Sequence, residues 1–323
     1  MSSTSLGDDA TLRAPAIVGG ASKVDIVRLP GAIGAEVRCD VRALDKDGAE
    51  KIYQAYLENL ALVFRGQDLS DDDLMDFGRL FGDLMPPLPP EYAAVGSRTL
   101  TEDYPLVSIV SNVKENGVAI GNLGDGEAQW HSDFSFHPVP CSASILYAVE
   151  LPQSWGGDTS VLNMYAALEA LPGELRRLIE GMTVKNDLRY DSVGERRSGV
   201  EGSDDLRTSP GPSHPIVRTN PDTGYNALYI GRRANAYLNG LPVDESEEIL
   251  DELWSYADNE DFAYRNSWQV GDILMWDNRC TMHHRQAFDP NSRRIMHRVQ
   301  TVGERPFYAP RSSKPGPHPR SVS

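Results

Sequence analysis

Hydrophobic residues follow two kinds of spacing along this chain. Apolar positions three or four residues apart predict helices at 46–60, 70–82, 164–182 and 245–257. Short apolar and β-branched runs predict strands at 61–65, 106–110, 143–149, 215–219, 227–231, 272–277 and 294–302. Helices gather early and strands dominate later, without a regular βαβα alternation. This order favours an α+β protein with an antiparallel core, a sandwich or jelly roll, flanked by helices.

The pattern also predicts the domain organisation. Residues 1–15 are rich in Ser, Asp and Gly without periodicity, and residues 305–323 are rich in Pro and Ser, so we interpret these segments as a disordered N-terminal tail and a C-terminal tail. Residues 16–304 contain no internal repeat and no long Gly/Ser linker, which predicts one domain. Within it, the polar, Gly- and Pro-rich residues 190–214 are typical of a long mobile loop that acts as a lid.

Charge narrows the range of partners. The 47 acidic and 31 basic residues give a net charge of −16, which argues against binding to nucleic acids or to anionic membranes. An anionic ligand must therefore be held by a local cluster of arginines.

We expect a cytoplasmic protein, because the sequence shows neither a spanning apolar stretch nor a signal-peptide pattern. Cys39, Cys141 and Cys280 are far apart, so we interpret them as small buried hydrophobic residues.

The first candidate for chemistry lies in QWHSDFSFHPVP, residues 129–140. His131 and Asp133 are two positions apart, so on an extended strand both side chains point to the same face. By itself this pair is equally typical of an exposed histidine beside an exposed aspartate.

A second cluster follows at residues 271–300, where a predicted strand leads into His283 and His284. Two histidines and one carboxylate form the 2-His-1-carboxylate facial triad, which binds iron(II) and leaves coordination positions open. Zinc can bind the same donors. Only one of the two adjacent histidines can serve, because neighbouring residues on a strand point to opposite faces.

At this point residues 28–303 resemble a known family, the iron(II)/2-oxoglutarate-dependent dioxygenases of the taurine and 2,4-dichlorophenoxyacetate dioxygenase type. The resemblance rests on the motifs ALVFRGQDLSDDDLMDFGRLFG, WHSDFSF, GGDTS, WDNRCTMH and RRIMHRV, which occur in the family's order. It implies an α+β fold with a double-stranded β-helix (jelly-roll) core. It also implies that His131, Asp133 and His283 bind iron(II), since the distal histidine directly follows DNRCTM, and that 2-oxoglutarate and O₂ are co-substrates.

The same resemblance assigns Arg294 and the hydroxyl of Thr159 to the distal carboxylate of 2-oxoglutarate. A guanidinium suits this role because it binds a carboxylate in a bidentate manner and stays charged when buried. Arg298 lies four residues further along the predicted strand, roughly 13 Å away at ~3.3 Å per residue. That distance implies a second, separate anion, and in the family this position holds the acidic group of the substrate. A structural salt bridge is the alternative role for Arg298.

Departures from the family pattern bear on the substrate. Residues 86–105 lack the histidine that taurine-type members carry there, so a taurine substrate is disfavoured. Tyr92 and Phe134 are candidates for an apolar wall of the substrate pocket. Related halogenases lack the carboxylate found here at Asp133, so its presence favours hydroxylation.

The sequence therefore predicts a dioxygenase that hydroxylates a small organic anion, an aryloxyalkanoate-like carboxylate, and releases succinate and CO₂. Two alternatives are a sulfonate or alkyl sulfate dioxygenase of the same family and a non-catalytic jelly-roll protein that binds a metal or an organic acid. A zinc hydrolase is disfavoured because it would leave Arg294 without a purpose. The sequence is consistent with a monomer or a homo-oligomer.

Overall fold

Helices pack on β-sheets in the computed structural model, which describes residues 23–87 and 104–310. The helices are α1 (Lys46–Asn59), α2 (Asp71–Arg79), α3 (Met164–Ala170), α4 (Gly173–Ile179) and α5 (Val243–Ala257). The strands are β1 (Asp25–Arg28), β2 (Ala35–Arg38), β3 (Ala61–Phe64), β4 (Ser108–Ser111), β5 (Lys114–Glu115), β6 (Val118–Ala119), β7 (Asn122–Leu123), β8 (Ala128–His131), β9 (Ala143–Glu150), β10 (Thr159–Asn163), β11 (Thr183–Lys185), β12 (Ser213–Pro215), β13 (Val217–Thr219), β14 (Asn226–Leu228), β15 (Tyr237–Leu238), β16 (Ala263–Asn266), β17 (Ile273–Asp277), β18 (Thr281–Arg285) and β19 (Ile295–Gln300).

The two early helices begin and end close to their predicted limits, because local residues satisfy their free backbone groups. Asp45 accepts a hydrogen bond from the backbone N–H of Gly48 at 2.7 Å and so caps α1. Leu60 ends that helix in the left-handed region, with φ of 64°. Ser70 and Asp73 form a reciprocal capping box at the start of α2.

The single helix predicted at 164–182 is wrong. Two short helices occupy this segment, α3 and α4. Leu171 has an extended backbone with ψ of 139°, as expected for a residue that precedes a proline. Pro172 is the N-cap of α4, so the apolar periodicity continues although the helix is interrupted.

Two sheets form the centre of the structure. The larger has the strand order β1-β2-β3-β17-β9-β19-β4-β7, and the smaller has the order β16-β10-β18-β8. Leu146 and Trp276 of the larger sheet share one hydrophobic cluster with Val161 of the smaller sheet, and the ring centroids of Trp276 and His283 lie 4.5 Å apart, so the two sheets pack face to face. The other face of the larger sheet packs on α1 and α2. This mixed arrangement of sheets and helices agrees with the predicted α+β class.

The register of the smaller sheet brings distant parts of the chain together. Strand β18 lies between β10 and β8, and His283 is paired with Val161 on one side and with His131 on the other. Thr159 is paired with Arg285. Since side chains two positions apart share a face, Thr159, His283 and Arg285 point to one side of the sheet.

Several other predicted segments differ in detail. The strand predicted at 215–219 is interrupted at Ile216, which separates β12 from β13, and the strand predicted at 227–231 is shortened to β14. Of the predicted C-terminal tail, the described part bonds to β13, where Thr219 donates its backbone N–H to the carbonyl of Phe307 at 2.8 Å. The predicted disordered tail at 1–15 lies outside the described residues.

Two of the three cysteines have the predicted environment. Cys141 and Cys280 are buried as predicted, whereas Cys39 is only half-buried, and none of the three forms a disulfide within the described chain.

In residues 23–87 and 104–310, none of the helices is both long enough and apolar enough to cross a membrane.

Candidate active site

His131, Asp133 and His283 meet between the two sheets. Their ligand atoms all lie within 4.8 Å of one another, and all three residues are buried. Oδ1 of Asp133 lies 3.6 Å from Nε2 of His131 and 3.8 Å from Nε2 of His283. Two imidazoles and one carboxylate that converge in this way form a donor set suited to iron(II) or zinc.

His131 and Asp133 lie close together, but not because they share one face of an extended strand, as their spacing suggested. His131 ends β8, but Asp133 lies in the turn that follows and not on an extended strand. Asn278 fixes this turn, since its Oδ1 accepts from the backbone N–H of Asp133 at 2.7 Å and its Nδ2 donates to the Asp133 carbonyl at 2.8 Å. The loop between β17 and β18 therefore positions the carboxylate.

Hydrogen bonding prepares His131 for ligation, and burial prepares His283. Nδ1 of His131 lies 2.7 Å from the carbonyl of Gln129. A carbonyl can only accept, so Nδ1 carries the proton and the lone pair of Nε2 faces the cluster. Burial and the neighbouring His131 lower the pKa of His283 to about 3, and Asp133 opposes this shift only in part. The ring of His283 is therefore neutral at pH 7. A neutral imidazole is the form that binds a metal.

The second oxygen of Asp133 is held from behind. Oδ2 accepts from the hydroxyl of Ser144 at 2.8 Å and from Nε2 of Gln300 at 3.0 Å. Nη1 of Arg298 lies 3.3 Å from Oδ1 and 3.4 Å from Oδ2. Burial by itself would raise the pKa of Asp133, but the charge of Arg298 holds it well below its usual range. The carboxylate is therefore ionised, with Oδ1 toward the histidines.

Arg294 lies deep in the protein beside this cluster. Its side chain is 1 % exposed and forms no salt bridge with any residue in the described ranges. Nη2 donates to the carbonyl of Gly157 at 3.3 Å, while Nε and Nη1 find no acceptor in the described chain. Burial and the nearby Arg285 lower its pKa to about 9. A buried guanidinium with unused donors is costly without an anion, so this residue indicates a binding site for a carboxylate.

Thr159 faces the same cavity, which we name the Arg294 cavity. It is lined by residues of both sheets, among them Thr159, Trp276, His283, Arg294 and Arg298. The indole N–H of Trp268 donates to the hydroxyl oxygen of Thr159 at 3.1 Å. Because an indole nitrogen cannot accept, the hydroxyl proton of Thr159 remains available to donate to a ligand.

Tight packing of the GGDTS turn positions Arg294 against this cavity. Gly157 has φ of 84°, and a Cβ at this position would lie only 3.3 Å from Nε of Arg294. A side chain larger than hydrogen would therefore be strained and would press on the guanidinium.

A second cavity adjoins the cluster, and we name it the Phe134 cavity. His131, Asp133 and Arg298 line it together with Phe134 and Phe136. Phe134 adopts φ of 56°, a left-handed conformation that is rare for a bulky residue and is found in functional turns. Arg298 borders both cavities. Tyr92, predicted to line the substrate pocket, lies outside the described residues.

His284 points away from the cluster, as the alternation along β18 requires. Its Nε2 lies 2.5 Å from Oε1 of Glu127, and its ring contacts Trp130 at a tilt of 39°, with centroids 5.3 Å apart. This surface pair accounts for the side chain without a metal.

Sequence reasoning missed several residues that surround the candidates. Gln300 lies two positions after Arg298 on the same strand, so alternation from Arg298 could have indicated it. Ser144, Asn278 and Trp268 carried no comparable signal, because each reaches the site from a segment that only the folded structure brings close.

A two-sheet fold that buries a His-Asp-His cluster beside an unpaired arginine is the arrangement of a 2-oxoglutarate-dependent dioxygenase. Comparisons with known proteins agree. The family described as "Taurine catabolism dioxygenase TauD, TfdA family" matches residues 25–300. Pentalenolactone F synthase of Streptomyces avermitilis is 36 % identical over 300 residues, which cover 88 % of this chain and 95 % of that protein.

Other relatives extend the same result. The alpha-ketoglutarate-dependent 2,4-dichlorophenoxyacetate dioxygenase of a Burkholderia species is 33 % identical over 301 residues, covering 90 % of this chain and 93 % of the relative. The crystal structure of a taurine dioxygenase from Burkholderia xenovorans superposes with a TM-score of 0.69 at 26 % identity, covering 88 % of this chain and 90 % of that one. The chain belongs to the TauD/TfdA family of dioxygenases and is an oxidoreductase.

Proposed function

We propose that this protein is an iron(II)- and 2-oxoglutarate-dependent dioxygenase that hydroxylates a small organic anion, an aryloxyalkanoate-like carboxylate, with release of succinate and CO₂. The observation that carries the proposal is the shared location of three potential metal ligands and two arginines. His131, Asp133 and His283 lie between the cavities that Arg294 and Arg298 border. One cation is then available for the co-substrate and another for the substrate.

The His131–Asp133–His283 cluster would hold iron(II). The donor atoms fit this ion because both histidines present an unprotonated nitrogen and the carboxylate is ionised. With iron bound, O₂ and 2-oxoglutarate supply the oxidation: one oxygen atom enters succinate and the other becomes the new hydroxyl group. The protein contributes ligation, orientation of the reactants and exclusion of water.

Arg294 and Thr159 would bind the distal carboxylate of 2-oxoglutarate. The support is the unused hydrogen-bonding capacity on both residues: two buried guanidinium nitrogens and one hydroxyl proton. An incoming carboxylate would compensate the buried charge of Arg294 and so bind tightly.

Arg298 would anchor the acidic group of the primary substrate, with Phe134 forming an apolar wall beside it. In the structure Arg298 neutralises Asp133, at 3.3 Å. Iron(II) held by Asp133 would compensate the same carboxylate charge. The guanidinium would then be free to pair with an anion in the Phe134 cavity.

The fold carries a related proposal. We infer a double-stranded β-helix within a single domain at 16–304. The support is the pair of facing sheets, with the cluster between them.

Substitution of Arg298 tests the proposed function. Arg298→Gln should retain iron(II) and 2-oxoglutarate binding and form succinate without hydroxylated product, since misplacement of a reactant by about 1 Å can cost on the order of 10²-fold in rate. The measurement is the ratio of hydroxylated product to succinate for phenoxyacetate and for its uncharged amide. Equal turnover of the acid and the amide by the unmutated enzyme would refute the role of Arg298 as an anion anchor.

A further inference from the structure

Arg197 is an arginine without an ionic partner at the edge of the site. It comes from the polar segment 190–214 and lines the Phe134 cavity. Its guanidinium lies over the ring of Phe136, 4.3 Å from the centroid. Nε is buried without an acceptor, and Arg197 forms no ion pair with the described residues. Stacking on an aromatic ring fixes the guanidinium but does not satisfy its donors.

The other charged residues that line the Phe134 cavity are Asp133, Asp187, Arg232 and Arg298. Asp187 is already neutralised, because Arg189 donates to its Oδ2 at 2.9 Å. Asp133 belongs to the proposed metal site.

Arg232 is also engaged. Its Nη1 donates to the backbone carbonyl of Tyr190 at 3.0 Å and to that of Asp191, so it holds the beginning of segment 190–214. Arg298 pairs with Asp133, which a bound metal would also engage. Arg197 is thus the cation of this cavity whose side chain has neither an acid nor a backbone carbonyl as partner among the described residues.

The arginines of the cavity also act on one another. Burial lowers the pKa of Arg197 to about 10; Asp191 raises it in part, and Arg232 and Arg298 lower it. The cavity is thus locally positive in a chain of net charge −16. A ligand with one negative group can neutralise Arg298 and would leave Arg197 uncompensated.

We propose that the substrate is an organic acid with two oxygen-acceptor groups, one held by Arg298 and the other, a carboxylate in the strongest case, by Arg197. This inference rests on the proposed function and deepens it. Arg197 is then a specificity-determining residue that favours dianions over simple aryloxyacetates. Segment 190–214 contributes it from outside the two central sheets.

Calorimetry on the protein loaded anaerobically with iron(II) and 2-oxoglutarate tests the proposal. The probes are phenoxyacetate and its 3-carboxy and 4-carboxy derivatives, which add a second anion at two distances. We expect at least one dianion to bind about 10- to 100-fold more tightly than phenoxyacetate, the range for a hydrogen bond to a charged group. Arg197→Met should abolish that advantage, and Arg197→Lys should retain part of it.

Arg207→Met is the matched control, because Arg207 lies in the same segment but is exposed and paired with Asp205 at 2.7 Å. It should leave the preference for the dianion unchanged. The proposal is overturned if neither dianion binds more tightly than phenoxyacetate, or if Arg197→Met keeps the preference. Failure of the unmutated protein to bind iron(II) or 2-oxoglutarate would instead overturn the proposed function.

Discussion

Gln300 offers a direct test of how the carboxylate of Asp133 is positioned. Its Nε2 donates to Oδ2 of Asp133 at 3.0 Å and to the hydroxyl of Ser144 at 2.9 Å. Gln300→Met keeps the length of the side chain and its fit in a buried position but removes every bond that Nε2 donates, including the one to Sγ of Cys141 at 3.4 Å. The carboxylate then loses part of the support that directs Oδ1 toward the histidines.

The expected size of the effect follows from the bonds that remain. Oδ2 still accepts from Ser144 at 2.8 Å and from Arg298 at 3.4 Å, so one of three donors is lost. A hydrogen bond to a charged acceptor contributes about 1.5–3 kcal/mol. If the bond is equally important for the metal-bound carboxylate, iron(II) affinity should fall about 10- to 100-fold, the range typical of residues that support a metal ligand.

The assay is anaerobic titration of iron(II) against a competing chelator. Ser142→Ala is the control, since the Ser142 hydroxyl lies on the same segment but pairs with Thr301 at 2.7 Å. Ser144→Ala should weaken binding as Gln300→Met does, and the double variant should lose less than the sum because the two residues bond to each other. A Gln300→Met protein that folds normally and binds iron(II) within about twofold of the unmutated protein would refute the reasoning.

Three further predictions concern metal, co-substrate and pH. Metal analysis should find no iron bound to His283→Ala, whereas His284→Ala should keep the iron content of the unmutated protein. Loss of metal in His284→Ala alone would reverse the assignment of the two histidines. Arg294→Ala should weaken 2-oxoglutarate binding roughly 30-fold to several thousand-fold, because breaking a buried charged pair costs ~2–5 kcal/mol. Arg293→Ala should leave this affinity unchanged, and calorimetry measures the affinity of both variants. Burial lowers the pKa of His214 from 6.5 to about 4, so unfolding takes up a proton and stability falls as pH drops below 6.5. In urea unfolding, this histidine should lower the free energy of unfolding at pH 5 by about 2 kcal/mol relative to neutral pH, and His214→Gln should remove that contribution. An unchanged pH dependence of stability in His214→Gln would contradict this prediction.

Local chemistry made much of the structure predictable from sequence. The limits of α1 and α2 depend on caps that lie beside them in the chain, so Asp45 and the Ser70–Asp73 pair were sufficient. The strands that lead to the site were found for a similar reason, because β17 is an apolar run that ends at Asp277 and β19 carries apolar residues among charged and polar ones. Motif order identified the family and selected His283 over His284, whereas alternation along β18 showed only that one of the two could serve.

Tertiary structure decided what local pattern could not. The apolar periodicity of residues 164–182 is helical throughout, but the backbone restriction before Pro172 divides the segment in two. Asp133 was assigned to an extended strand, yet it occupies a turn that Asn278 holds from 145 residues away in sequence. Neither result can be obtained from spacing, because a turn and a strand can present the same pair of side chains to one site.

The sequence by itself determined the donor types, their order and the family, since these depend on residue identity. Only the folded chain determined the surroundings of each donor: which oxygen of Asp133 faces the histidines, which nitrogens of Arg294 lack acceptors, and that Arg197 of segment 190–214 faces the Phe134 cavity. The physical reason is that burial and pairing depend on groups far apart in sequence. The energy of a charge in a protein is set by those neighbours and not by the residues beside it in the chain.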